Sequence, residues 1–471
     1  MLHLGHILEA ICDYQATGAE PALSSVVTDS REAQPGALFV ALPGAQVDGH
    51  DFVQDAFNRG AIGALVARPL PGDYLTIDAR PGQAPAPVIR PAQPLCLLVD
   101  DPVLAMQTAA QAWRDRFDVK VIGITGSVGK SSTKELAHAV LAQRYRTLKT
   151  PGNRNSVLGL PPALFELRPY HQRAILEMGM YTTGEIARLC EIARPTVGVL
   201  TIVGPVHLER AGSIENITRA KQELVEALPP DGVAILNKDD ARVMGMAGHT
   251  QARIFTYGLD HTADLWADNI RSMGLDGLRF TLHHRREALS VRVPLLGRHS
   301  VHTALRAAAL GLVEQLSWGE IVAGLASSQA QLRLVAVPGP KESIIIDDTY
   351  NSSPDSAMAA LNLLEDLDGR RIAVLGDMLE LGQAEIDSHR LVGRRAADVA
   401  HTLIAVGPRA RLIAAEAQAV GMPAERVFWV AETPDAIPVL EEVIEPRDVV
   451  LIKGSLGMRM DRIVAALGRD G

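Results

Sequence analysis

The chain has 471 residues, 47% hydrophobic, 21% charged and 4% aromatic, with 40 glycines and 28 prolines. That length predicts about three domains at ~150 residues each, and the composition excludes a collagen-like, disordered or disulfide-scaffold chain. The formal charge is −9, from 46 basic and 55 acidic residues without a basic run, so neither nucleic acid nor an anionic membrane is an expected partner.

In chain order, the first hundred residues or so read as a small mixed domain. The short apolar runs Ala37 to Leu42, Ile62 to Ala67 and Leu95 to Val99 alternate with polar turns. The Pro-rich segment from Pro69 to Pro94 reads as a surface loop. Met1 to Tyr14 carries Glu9 and Asp13 and lacks the basic-then-apolar pattern of a signal peptide, and no stretch reaches the ~18 apolar residues of a membrane helix. Cys12, Cys96 and Cys190 are too scattered for a disulfide framework or a zinc site, which predicts a reducing, cytoplasmic setting. Asp100–Asp101 followed by Pro102 predicts a helix start, with Val103, Met106, Ala110, Trp113 and Phe117 on one face. The first domain boundary is placed there, giving domains 1–99, 100–330 and 331–471.

From Val119 the pattern becomes strand, loop, helix. Strands are predicted at Lys120–Thr125, Ala174–Met178, Val197–Thr201 and Val233–Leu236, which argues a mostly parallel sheet. Residues 262–293, around Asp276–Gly277, predict an antiparallel appendage, followed by a helix from about His299 to Glu314. A second alternating unit has strands at Ser343–Asp347, Arg371–Gly376, Thr402–Gly407, Arg426–Val430 and Asp448–Lys453. Helices near 355–366, 385–399, 409–419, 433–444 and 457–467 separate them. The fold class is α/β: a small N-terminal domain, a central doubly wound sheet with an appendage, and a C-terminal Rossmann-like domain.

The strongest chemical signal is Gly123-Ile-Thr-Gly126-Ser-Val-Gly129-Lys130-Ser131-Ser132, between a strand and a helix. Such a loop aims backbone N–H groups at phosphates, Lys130 offsets their charge, and the Ser131 hydroxyl can hold Mg²⁺. A plain glycine-rich turn is the bland alternative, and the agreement of strand, GKS and helix start favours phosphate. Glu177 ends an apolar strand, where a carboxylate either holds Mg²⁺ in the nucleotide crevice or caps the next turn. Lys221 sits at the centre of the apolar face Ile214, Ile217, 221, Leu224, Leu228 of a predicted helix. It either snorkels to water or is buried with a lowered pKa, its neutral amine free to react.

The T-G-x-x-G-K-S variant, taken with motifs on either side of it, resembles the Mur ligases, ATP-dependent amide-forming enzymes of peptidoglycan synthesis. Thr28-Asp-Ser-Arg31 and Gly44-Ala-Gln-Val-Asp48-Gly-His50-Asp-Phe52 look like the N-terminal uridine-nucleotide domain of that family. Gly152-Asn153-Arg-Asn155-Ser-Val-Leu-Gly159-Leu-Pro161 and Glu177-Met-Gly179 look like its central ATPase. Asp347-Asp348-Thr-Tyr350-Asn351-Ser-Ser-Pro354 and Gly376-Asp377-Met-Leu-Glu380-Leu-Gly382 look like its C-terminal domain, in the branch that adds D-alanyl-D-alanine.

The resemblance implies an ATP site at Thr125, Gly126, Ser127, Val128, Gly129, Lys130, Ser131 and Ser132, with Asn153, His299, Arg333 and Asp348. It implies Mg²⁺ held by Ser131, Glu177 and His207, and by Lys221 as a CO₂-derived carbamate, with Lys130, His207 and Lys221 catalytic. Thr28, Asp29, Ser30, Arg31, Gly49 and His50 would hold the uridine nucleotide, and Tyr350 and Asn351 would meet substrate. The implied substrates are UDP-N-acetylmuramoyl-tripeptide and D-alanyl-D-alanine, joined through an acyl phosphate by a monomeric enzyme. Ser300 and Thr303 stand where the family usually has Asn, Leu456 where Arg is common, and Leu332 where a glycine usually precedes the arginine. Arg459, a turn beyond Leu456, offers a substitute cation. Rival readings are a related ligase adding a single amino acid, a nucleotide-binding paralogue that does not ligate, and a P-loop phosphotransferase. Selectivity for diaminopimelate or lysine in the tripeptide lies in pocket shape.

Overall fold

The computed structural model describes residues 1–44, 47–72, 74–88, 93–206, 208–327 and 334–468. Five strands near the N-terminus, β1 (Val26–Val27), β2 (Leu38–Val40), β3 (Gly63–Val66), β4 (Leu75–Asp78) and β5 (Leu95–Leu98), form an all-parallel sheet of order β1-β2-β3-β5-β4. The inner strands are continuous apolar runs and are buried, as parallel strands covered on both faces must be. β4 lies inside the Pro-rich segment expected to be a loop. Leu75–Asp78 is a half-exposed edge strand, where one row of hydrogen bonds suffices and apolar alternation is not required.

The next nine strands are β6 (Lys120–Thr125), β7 (Thr147–Lys149), β8 (Arg173–Glu177), β9 (Val197–Leu200), β10 (Val233–Asn237), β11 (Arg253–Gly258), β12 (Leu265–Ser272), β13 (Leu278–His284) and β14 (Glu287–Val293). Their order is β14-β13-β12-β11-β10-β9-β6-β8-β7. β12, β13 and β14 pair antiparallel and make the expected appendage. The turn between β12 and β13 needs Gly277, which has φ +97 and whose absent Cβ would lie 2.1 Å from the Val293 carbonyl oxygen.

The C-terminal sheet comprises β15 (Val335–Pro338), β16 (Ile344–Asp348), β17 (Arg371–Gly376), β18 (Thr402–Val406), β19 (Val427–Val430) and β20 (Val449–Lys453), in the order β15-β16-β20-β17-β18-β19. Only the edge strand β15 is antiparallel. Alternate residues of one strand feed opposite cores. Ile346, Ala373, Leu375, Leu403 and Leu451 pack on one face, and Ile345, Ile372, Val374, Ile404 and Val450 on the other. That is the doubly wound arrangement expected from the sequence.

By compactness the chain divides into two units, Met1–Gly123 with Tyr145–Met180 and Gly184–Val197, and Ile124–Arg144 with Tyr181–Thr183 and Gly198–Gly471. In the first, Asp101 caps the Pro102–Arg114 helix by accepting from the Val103 and Leu104 amides. Met106, Ala110 and Trp113 of the predicted face are buried, and Trp113 packs edge-on to Phe117 with ring centroids 5.0 Å apart. The Leu4–Ile11 helix, absent from the predicted elements, starts at a reciprocal His3–His6 cap. In the second unit the helices Lys130–Leu141, Val301–Val313 and Trp318–Leu325 pack together. Gly324 allows this, since a Cβ there would come within 2.4 Å of the Val140 Cα.

Candidate functional site

The loop after β6 is held open by two glycines. Gly126 has φ +144, and a Cβ on it would stand 1.8 Å from the Thr201 Oγ1. Gly129 has φ +86 and is the cap of the Lys130–Leu141 helix, so the positive end of that helix's dipole meets the loop. Ser127 latches the loop to the segment after β9. Its amide donates to the Ile202 carbonyl at 2.7 Å, its hydroxyl to the Gly204 carbonyl at 2.9 Å, and the Gly204 amide returns a bond to that hydroxyl at 2.9 Å. The Lys130 ammonium folds back on the loop, donating to the Gly126 carbonyl at 2.7 Å and the Ser127 carbonyl at 3.3 Å. Thr125 and Ser131 are buried, and Val128 and Ser132 half-buried. The Thr125 hydroxyl is buried without a partner among the described residues. Glycines where Cβ atoms would clash, a helix N-terminus and a lysine folded onto loop carbonyls form a fitting cradle for phosphates.

Lys221 lies on the Ile214–Glu226 helix, started by Ser213 accepting from the Asn216 amide. Ile217, Leu224 and Leu228 of its predicted face are buried, and Lys221 is 2% exposed, so it does not snorkel. Among the described residues its ammonium has no hydrogen-bond acceptor and no carboxylate partner. Burial first, and then the charge of Lys130, hold its pKa well below the ordinary lysine value.

Glu177 ends β8 and is buried. Its side chain accepts from the Asn155 amide group at 2.8 Å, and its backbone amide donates to Thr150 Oγ1 at 3.0 Å. Asn155 is a residue that sequence reasoning misses as a site group, although it stands in the same motif as the exposed Asn153. An Asn on an incoming loop opposite a strand-end carboxylate is a contact that only the fold supplies. A buried strand-end carboxylate is the type of donor that a hard cation takes. His207 and Arg333, with Leu332, lie outside the described residues.

In the C-terminal sheet, the buried Lys453 donates to Asp348 Oδ2 at 2.7 Å and to the Asn351 carbonyl at 2.8 Å. Lys453 thereby fixes both the β16 end and the turn carrying the half-buried Tyr350 and exposed Asn351. The Asp377–Gly382 segment is built as firmly. Asp377 accepts from the Ala410 amide at 2.7 Å, the Met378 amide donates to His389 Nε2 at 3.1 Å, and the Leu379 amide to Ser455 Oγ at 2.9 Å. Leu456 is exposed, and Arg459 pairs with Asp461 on the surface. His299 is solvent-accessible yet surrounded by protein mass. The surrounding protein first, then the charges of Lys453, His302 and Arg306, push its pKa down towards about 4.

At the N-terminal sheet, Asp29 accepts from the Arg31 amide at 2.9 Å and pairs with its guanidinium at 2.6 Å. Arg31 lowers the Asp29 pKa to about 2. Ser30 is buried and Thr28 half-buried. A Cβ on Gly49 would lie 2.5 Å from the Leu42 nitrogen, so only glycine fits there. The His50 ring is committed within the protein. Nδ1 meets Asp48 Oδ1 at 2.6 Å, and Nε2 accepts from the Ala67 amide at 2.8 Å.

Three family models match the chain: the Mur ligase family catalytic domain over residues 22–110, the Mur ligase middle domain over 124–311, and the Mur ligase glutamate ligase domain over 333–456. A UDP-N-acetylmuramoyl-tripeptide–D-alanyl-D-alanine ligase of Synechocystis is 35% identical, covering 94% of this chain and 92% of its own. The Escherichia coli protein of the same name is 33% identical, covering 98% of each. A crystal structure of MurF from Acinetobacter baumannii superposes with a TM-score of 0.84 at 30% identity, covering 99% of this chain and 98% of that one. With this likeness running through all three sheets and the P-loop between β6 and its helix, the chain belongs to the Mur ligase family.

Proposed function

We propose that this chain joins D-alanyl-D-alanine to UDP-N-acetylmuramoyl-tripeptide with ATP, in peptidoglycan precursor synthesis. One observation carries the reading: proteins of that name match it from end to end, covering 98% of both chains in one case. The chemistry follows from bond-making. The terminal phosphoryl group of ATP passes to the tripeptide carboxylate, giving an acyl phosphate and ADP. The dipeptide amine then attacks the acyl carbon; the C–N bond forms, the C–O bond to phosphate breaks, the amine releases a proton, and orthophosphate leaves.

The chain's share is positioning and charge. Residues Thr125 to Ser132 cradle the phosphates, and Lys130 leaves its loop carbonyls for them. Ser131, Glu177 and His207 would hold Mg²⁺, which would offset phosphate charge. Lys221, a buried amine whose pKa is held well below the ordinary lysine value, suits reaction with CO₂, which forms an N–C bond and releases a proton. The resulting carbamate is an anion, a fitting second oxygen donor for Mg²⁺. Asp348 takes the ribose, Arg333 the phosphates, and Asn153 and His299 the rest of the nucleotide. Thr28 to Arg31 and Gly49 hold the uridine nucleotide, with His50 shaping that site through Asp48 and Ala67. Tyr350 and Asn351 meet the substrate. The domains are 1–99, 100–330 and 331–471, and the enzyme acts as a cytoplasmic monomer. Among the described residues no helix is long and apolar enough to cross a membrane.

The test supplies ATP and the tripeptide nucleotide with D-alanyl-D-alanine, D-alanine or L-glutamate in turn, and identifies products by mass. Ligation of the dipeptide alone supports the reading. Ligation of a single amino acid, a phosphorylated end product, or no ligation with any amine overturns it.

A further inference from the structure

Arg306 sits in an apolar stretch of the Val301–Val313 helix, where Ala304, Leu305, Ala307, Ala308 and Ala309 are all fully buried. It is itself only 5% exposed. A guanidinium removed from water is costly unless an anion answers it. Among the described residues no carboxylate lies within ion-pair distance of Arg306. Its Nη2 donates to Thr303 Oγ1 at 2.9 Å, and its Nε is buried with no acceptor among them.

The anions nearby are committed elsewhere. Asp239 pairs with His302 at 2.7 Å and accepts from the Leu259 and Asp260 amides. Asp240 accepts from the Val203, Arg242 and Val243 amides. The Tyr257 ring centroid lies 5.9 Å from the guanidinium carbon, but burial pushes that phenol up to about 12, so it is neutral. What the guanidinium does face is the P-loop. A Cβ built on Gly129 would stand 2.9 Å from Nη2, so Arg306 packs against the cap of the Lys130–Leu141 helix, at the positive end of its dipole.

We propose that Arg306 is a phosphate-binding residue of this enzyme, a second fixed cation beside Lys130 at the nucleotide loop. Thr303, where Asn is usual in the family, is then its positioning residue, since its hydroxyl orients the guanidinium. The proposal rests on the reading of this loop as the ATP site, and the test separates the two.

ADP binding to the full chain is measured by calorimetry, without metal, over a range of salt concentrations. If ADP fails to bind the unaltered protein, the reading of the loop fails. If it binds, Arg306→Met and Arg306→Gln should weaken it by about tenfold to a hundredfold, the worth of a charge-assisted hydrogen bond at a buried site. Arg306→Lys should keep part of the affinity. Loss of one phosphate cation should also flatten the salt dependence, a change that lost packing would not produce. Arg306→Gln keeps length and polarity, so it serves where Arg306→Met does not fold. ADP affinity within about twofold of the unaltered protein, with unchanged salt dependence in the glutamine variant, overturns the proposal.

Discussion

The ammonium of Lys453 stands 2.7 Å from a carboxylate oxygen of Asp348, joining the ends of the adjacent parallel strands β20 and β16. Lys453 is almost wholly buried and Asp348 largely so, and the lysine also holds the Asn351 carbonyl. Lys453→Met therefore leaves a buried carboxylate without this cation and a turn without its anchor. The expected cost is about 2–4 kcal/mol of stability, since losing one partner of a buried pair exposes the other's desolvation. Urea denaturation checks it, and nucleotide affinity should fall with it because Asp348 and the turn lose their setting.

Lys221 yields a contrasting expectation. Replacing this buried lysine by alanine removes a desolvated amine and adds a good helix former, so the melting temperature should hold or rise. Activity should nevertheless fall by more than about a hundredfold, as for loss of a group that stabilises transferring charge. In the unaltered protein, carbon-13-labelled bicarbonate should give a carbamate resonance that Lys221→Ala lacks. Acetate, if it enters the vacated space, should restore part of the rate.

Glu20 sets a pH dependence far from the chemistry. Burial by itself would raise its pKa. The Thr17 amide and the Tyr14 and Thr17 hydroxyls bond to it and override that, holding it at about 2 against an ordinary 4.5. Its contribution to stability is thus full above pH about 4.5 and is lost as the pH falls towards about 2. Glu20→Gln should cost about 1–3 kcal/mol at neutral pH and flatten this acid limb. Melting temperatures of both proteins across that range check it.

The sheets were largely legible because their strands are apolar runs. Lys120–Thr125 and Arg371–Gly376 match the predicted bounds, and Ile345 and Ile346 show why: neighbours in one strand feed opposite cores, so the whole run must be apolar. Leu75–Asp78 was not legible, since an edge strand needs no such run. Lys221 was visible as a charge on an apolar helix face. Arg306 carries the same signal in the run Ala-Leu-Arg-Ala-Ala-Ala, but its meaning depends on Gly129, far away in sequence. Asn155 and the Ser127 latch likewise act through contacts that only folding makes. His50 has the opposite lesson, because its motif suggested a ligand contact while both ring nitrogens serve the protein.

In the proposed reaction the tripeptide carboxylate becomes an acyl phosphate before the dipeptide amine attacks. That step is tested most directly by placing heavy oxygen in that carboxylate and following the label through one round of ligation. ADP should be the nucleotide product, with one orthophosphate for each amide bond and one labelled oxygen in that orthophosphate. Label in AMP, with pyrophosphate released, would show that the carboxylate is adenylated instead and would contradict the acyl phosphate step.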